Sequence, residues 1–179
     1  LITSSAASDV YKRQNLYSDE TSQWLKREID IILEAYKNQN LSNENRFLLI
    51  EKTINNNFAG TGIAKFVAGE AWKKSDKNTK KIYIDNFKRH LALNIASMMQ
   101  GYSDQTYELT KSKHDKKNQV TLIDMEIFSD TGSVVVTWRV KESKDRFFVI
   151  DLIVADISLV VTKRSEFNSM LKKVDNDLS

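Results

Sequence analysis

Residues 149–161 read VIDLIVADISLVV, the most apolar run in the chain, and give way at once to TKRSEFNSMLKK. A membrane-spanning helix needs about 20 consecutive apolar residues. Asp151 and Asp156 fall inside this run, so it does not qualify. From Phe147 to Val154 the residues are apolar on both faces of an extended strand except at Asp151, and a strand of that kind is covered on both sides. Beyond it, Val160, Phe167, Met170, Leu171 and Val174 mark a final helix over about 158–174.

Upstream of the run the hydrophobic period is two. Strands are expected near 105–114, 119–128, 133–142 and 146–155, joined by turns such as HDKKN and SDTGS. Val134, Val136, Trp138 and Val140 alternate with Val135, Thr137, Arg139 and Lys141, giving one apolar and one wetter face. Further upstream the period becomes helical. Trp24, Leu25, Ile29, Ile32, Leu33 and Tyr36 recur at spacings of three and four over about 20–37. Asn40, Ser42 and Asn43 supply a turn and an N-cap for a second helix carrying Phe47, Leu48, Ile50, Ile54 and Phe58. Gly60 and Gly62 are expected to interrupt, followed by a short helix with Ile63, Phe66, Val67 and Trp72, then the loop KKSDKN. The longest helix is expected from about Asp76 to a cap at Gly101, with Ile84, Phe87, Leu91, Ile95, Met98 and Tyr102 along one side. A helical half of about 20–102 followed by a strand-rich half of about 105–175 argues for an α+β fold. We expect a helical N-terminal half wrapping a curved antiparallel sheet of about four strands, closed by a C-terminal helix.

Composition excludes several function classes. With no cysteine there are no disulfides, thiolate metal sites or cysteine nucleophiles. The two histidines, His90 and His114, lack metal-ligand spacing. A formal charge of +3 falls well short of a nucleic-acid footprint, so no nucleic-acid partner is expected. The runs KKSDKNTKK (73–81) and KSKHDKK (111–117) mix acids with bases and read as solvated loops. No phosphate-binding loop, dinucleotide fingerprint or paired-carboxylate motif is present. The chain begins LITSSAASDVYKRQ, and Asp9–Gln14 is what the codons GAT GTG TAT AAG AGA CAG encode, the end of a common sequencing-library adapter. Residues 1–14 are therefore expected to be a non-native or disordered leader. Residues 15–179 are expected to be one domain whose own start, with any export signal, lies upstream.

Asp151 admits two readings, because an unpaired carboxylate in an apolar strand is costly. It is either a structural group paired with Arg139 or capping the last helix, or a general base in a sheet-lined pocket. Met98, Met99, Met170 and the aromatics fit a filled core or a lined cavity equally well.

Three segments carry a family resemblance. The segment F58-AGTG-I63-AKFVAGEA-W72 resembles a signature of the MlaC/toluene-tolerance family of periplasmic phospholipid carriers, and F87-KRH-L91-ALN-I95-ASMMQG-Y102 is similar to that family's long helix. Most specific is the stretch from Trp138-Arg139-Val140 through FFVIDLIVADIS to RSEFNSML, which resembles its Tyr-Arg-Leu strand, its Asp-containing strand ending in Ser, and its Arg-Ser-x-Phe helix. The resemblance covers roughly residues 20–175 in the same order. Departures at Ala59, Lys65, Ala68, Ile95 and Phe147 are mostly size changes at apolar sites, bearing on pocket volume and lipid preference.

The resemblance implies a non-enzymatic shuttle, with phospholipid as cargo and no cofactor or metal. Its implied partners are an inner-membrane ABC transporter with a membrane-anchored lipid-binding subunit and an outer-membrane lipoprotein complex. Its implied role is to maintain outer-membrane lipid asymmetry from the periplasm, as a monomer. The alternatives are a carrier of hopanoid or another lipid, and a small-molecule enzyme using Asp151. A cavity between sheet and helices is then expected to be lined by Phe66, Val67, Phe87, Leu91, Ile95, Met98, Trp138, Phe148, Ile150, Leu152, Val154, Val160, Phe167 and Leu171. Phe147, Val149 and Ile153 replace the strand members if the register flips. Arg139, Asp151, Ser158 and Arg164 are expected to be structural polar groups.

Overall fold

Helices come first, then an antiparallel meander, then a closing helix, in the order the periodicity predicts. The structure, a computed structural model, describes residues 19–38, 40–100, 102, 105–175, 177 and 178. The expected leader 1–14 and the expected cap Gly101 lie outside the described residues.

Asp19 opens α1 (Glu20–Lys37) by accepting from the Thr21 amide at 3.1 Å, and the apolar stripe of this helix buries Leu25 and Ile29. Ser42 caps α2 (Asn43–Asn57), which buries Ile50 and Ile54. Gly60 and Gly62 do not interrupt. They form the first turn of α3 (Gly60–Ala68), where the amides have no intrahelical partner and glycine costs least. The absent side chain at Gly60 also admits Lys88, whose Cε would lie 3.0 Å from a Cβ there. The interruption between α2 and α3 falls just ahead of these glycines, at Phe58 and Ala59, and a second break falls at Gly69, with φ of 57°, between α3 and α4 (Glu70–Lys74). The expected loop KKSDKN shrinks to Ser75 and Asp76. The Asp76 carboxylate accepts from the amides of Asn78 and Thr79 at 2.7 and 2.9 Å and starts α5 (Lys77–Met98) at once.

Five strands follow in sequential order: β1 (Thr106–Asp115), β2 (Val120–Ser129), β3 (Gly132–Ser143), β4 (Arg146–Val154) and the two-residue β5 (Ile157–Ser158). Lys144–Asp145 and Ala155–Asp156 all have positive φ, the geometry that lets a two-residue turn follow the twist of its strands. Ser158 then caps α6 (Leu159–Leu171), accepting from the Val161 amide at 3.0 Å.

A bulge in β4 sets which of its side chains face the helices. On β3 the helix-facing residues are Val136, Trp138 and Val140, in the alternation read from the sequence. Their partners on β4 are Val154, Leu152 and Val149, because Ile150 is an extra residue that shifts the register between Arg139 and Val140. An inserted residue reverses the alternation beyond it. The helix-facing set is thus Phe147, Val149, Leu152 and Val154, which mixes the primary and reserve expectations. Phe148, Asp151 and Ile153 pair with Lys141, Arg139 and Thr137 on the other face.

Candidate functional site

Helices α1, α2 and α5 close over the apolar face of the sheet around a cavity of about 50 Å³. Helix α1 contributes Trp24, Leu25, Glu28, Ile29 and Ile32 to its wall; α2 and its end give Ile50, Thr53, Ile54, Asn57 and Phe58. Ile95 of α5 and Trp138, Val149 and Leu152 of the sheet complete it. No lysine or arginine lines this space. Its one carboxylate, Glu28, accepts a hydrogen bond from Asn57 Nδ2, which ties α1 to α2 at the lining.

Besides Leu25 and Ile29 in the core, polar ties at its two ends and along one side fasten helix α1 to its neighbours. Ser112 Oγ donates to Asp19 at 2.8 Å, and the Tyr107 hydroxyl donates to Asp30, so both carboxylates hold α1 to β1. Lys26 pairs with Asp30 at 2.6 Å. Arg46 of α2 donates to the carbonyls of Tyr36 and Asn38 at 3.3 and 2.9 Å, anchoring the other end. Trp24 packs on Phe147 with ring centroids 5.6 Å apart.

Burial opposes the charge on Asp19, yet its bonds from Ser112, Ser22 and Thr21 outweigh that and hold its pKa below the ordinary 3.8. Asp30 is likewise held low, burial being outweighed by Lys26 and Tyr107. A depressed folded pKa adds stability that is complete above the unfolded value and lost as pH falls through the folded one. The melting temperature of the wild type should therefore exceed that of an Asp19→Asn, Asp30→Asn variant at pH 7, and the gap should close below about pH 4. A gap independent of pH would contradict these ties.

The expected lining residues do not all meet at this cavity. Ile95, Trp138 and Leu152 line it, as does Val149 of the reserve set. Val67, Phe87 and Leu91 are buried among the helices, and Leu171 is buried on α6. Phe167 stands edge-on to Tyr83 and Phe87 at 6.1 and 5.9 Å. Tyr83 donates to the Ala64 carbonyl at 3.0 Å in this cluster, and burial raises its pKa. Val154 and Val160 pack beside the core. Phe66 is 43% exposed under the Arg164 guanidinium, which lies 4.4 Å from its ring and donates to its carbonyl at 3.0 Å. Met98 lines an open groove with Met99, Tyr102, Ile127 and Val134; Phe148 and Ile150 line another with Lys88 and Lys141. The walls from α1 and α2 went unassigned in the sequence reading. Their signal was Glu28, Thr53 and Asn57, polar positions set beside apolar stripes.

Asp151 is 3% exposed and its oxygens are occupied. Oδ1 accepts from the amides of Leu152 and Val160 at 2.8 and 3.1 Å, and Oδ2 from the Ser158 hydroxyl at 2.6 Å, with Arg139 Nη1 3.7 Å away. The carboxylate both pairs with Arg139 and fixes the start of α6, and it is not among the cavity-lining residues. His114 Nδ1 lies 2.9 Å from Thr121 Oγ1, and His90 stands exposed beside Phe167. Among the described residues there is no acid or histidine cluster able to hold a metal, and no helix long and apolar enough to cross a membrane.

Among solved structures, a phospholipid-binding protein from Ralstonia solanacearum, in complex with a phospholipid, shares this fold. Its TM-score is 0.77 at 16% identity, covering 88% of this chain and 90% of that chain. No curated protein sequence matches the chain. A family model described as MlaC protein matches residues 26–178, from the first turns of α1 to beyond α6. A match of that extent spans the helices, the sheet and the cavity between them, and the chain accordingly belongs to the MlaC family.

Proposed function

We propose that the protein is a periplasmic phospholipid carrier whose acyl chains lie between the sheet and helices α1, α2 and α5. The observation that carries this reading is the cavity itself: its wall is apolar, Glu28, Thr53 and Asn57 are the polar residues that border it, and it has no cation. Membership of the MlaC family and the fold shared with a phospholipid-binding protein support the same cargo. Sheltering two chains of about fifteen carbons is worth on the order of 20 kcal/mol at about 0.8 kcal/mol per methylene. Only an enclosed apolar space supplies that shelter.

The closed cavity is too small for such a load. A cavity of about 150 Å³ holds one benzene, and this one measures about 50 Å³. Loading therefore draws α1 away from α2 and the sheet, and the polar ties of α1 to β1 and of Glu28 to Asn57 are what yields. Ile50, Ile54, Ile95, Trp138, Val149 and Leu152 form the fixed wall, and Trp24 and Ile29 the moving one. The carrier exchanges its lipid with an outer-membrane lipoprotein complex and an inner-membrane ABC transporter, which maintains outer-membrane lipid asymmetry.

Delipidated protein mixed with phospholipid vesicles and re-isolated by gel filtration should carry about one phospholipid per chain. Its melting temperature should rise as ligand linkage requires. Re-isolated protein free of phosphorus, with an unchanged melting temperature, would contradict the carrier reading. Recovery of a rigid polycyclic lipid in place of phospholipid from the native host would redirect it to that cargo.

A further inference from the structure

Among the described residues, two buried side-chain nitrogens have no hydrogen-bond partner, Arg46 Nε and Trp138 Nε1. Arg46 commits Nη2 to the carbonyls that end α1 and Nη1 to Asn43 Oδ1, so its Nε is the remainder of a group already in use. Trp138 differs, because an indole has a single donor and no acceptor. That donor is shut off from solvent on a residue that lines the cavity, and an orphaned buried N–H calls for an explanation. The lining does not supply one: Glu28, Thr53 and Asn57 are its polar residues, and none of them accepts from Nε1.

We propose that Trp138 Nε1 donates a hydrogen bond to an ester carbonyl of a lipid held in the cavity, and that this bond selects ester-linked lipids. The proposal rests on the carrier reading above. An uncharged donor, with an acid and no cation in the same lining, suits a neutral acceptor. A phosphodiester or a free carboxylate would meet Glu28 with no counter-charge. The ester carbonyl is the neutral acceptor that an acyl-glycerol lipid carries next to its chains, and an ether-linked lipid lacks it. A buried donor left unmatched penalises the wrong ligand far more than a small change in apolar contact does.

The test is competition between a diester and a diether phospholipid of identical headgroup and chain length, offered to delipidated protein in mixed vesicles. The wild type should load the diester about tenfold over the diether. The Trp138→Phe variant should lose that preference and load the two lipids alike. Equal loading by the wild type, or a preference that survives in the variant, overturns the proposal and leaves the carrier reading intact. Loading of neither lipid overturns both. Should the variant fail to fold, the indole N–H proton of Trp138 in the wild type gives the answer. It should move downfield with the diester and not with the diether, and an identical shift with both overturns the proposal.

Discussion

Joining residue 28 to residue 57 is expected to abolish lipid loading. The chain contains no cysteine, so Glu28→Cys with Asn57→Cys gives two unique thiols, which a short cleavable bis-maleimide can bridge. The native Glu28–Asn57 hydrogen bond already brings these side chains together across the lining. With α1 tied to α2, the cavity stays near its closed volume of about 50 Å³, below the roughly 150 Å³ that a benzene requires. Phospholipid uptake should fall at least about tenfold, since no part of the roughly 20 kcal/mol of chain shelter can then be realised. Cleaving the linker should restore it. Undiminished uptake by the bridged protein would mean that lipid enters without parting these two helices.

The largest loss of stability is expected from Asp151→Ala. The change leaves the Leu152 and Val160 amides and the Ser158 hydroxyl without their acceptor, and Arg139 without its nearby carboxylate. Removing one partner from a buried, multiply bonded carboxylate costs about 3–5 kcal/mol. For a chain of this size that lowers the melting temperature by roughly 10 °C. Asp151→Asn keeps one oxygen and should lose less. In both variants the lipid carried per folded molecule should match the wild type, because Asp151 does not line the cavity. A variant that is stable but cannot load lipid would move Asp151 from a structural role to a functional one.

The run VIDLIVADISLVV shows how far side-chain pattern reaches. Its double-sided apolarity identifies a covered strand, and its change of period at Ser158 locates the start of α6. Helix limits were equally legible where a cap is written in the chain, as at Ser42 and Asp76. What pattern could not reveal is the extra residue at Ile150. The strand is apolar on both faces apart from Asp151, so no alternation is visibly broken, yet the bulge divides the strand between the cavity and the opposite face. Phe148 and Phe147 look interchangeable in sequence; one lines an open groove and the other meets Trp24.

The candidate site was less legible than the fold, for a related reason. Phe66, Val67, Phe87, Leu91, Phe167 and Leu171 have the composition of a lipid lining, but they belong to α3, α5 and α6, away from the cavity under α1 and α2. An apolar stripe records that a face is buried and not what buries it. The proposed cargo comes from the family, and its proposed place from the packing of α1, α2 and α5 over one face of the sheet. Neither could be read from periodicity.

Native mass spectrometry of the full chain, purified from a bacterial envelope without added lipid, tests the central claim most directly. The account predicts a species heavier than the bare chain by the mass of one diacyl phospholipid, and that species should disappear when the 28–57 bridge is formed before lipid is offered. A protein that emerges only as the bare chain, and stays bare after exposure to phospholipid vesicles, would contradict it.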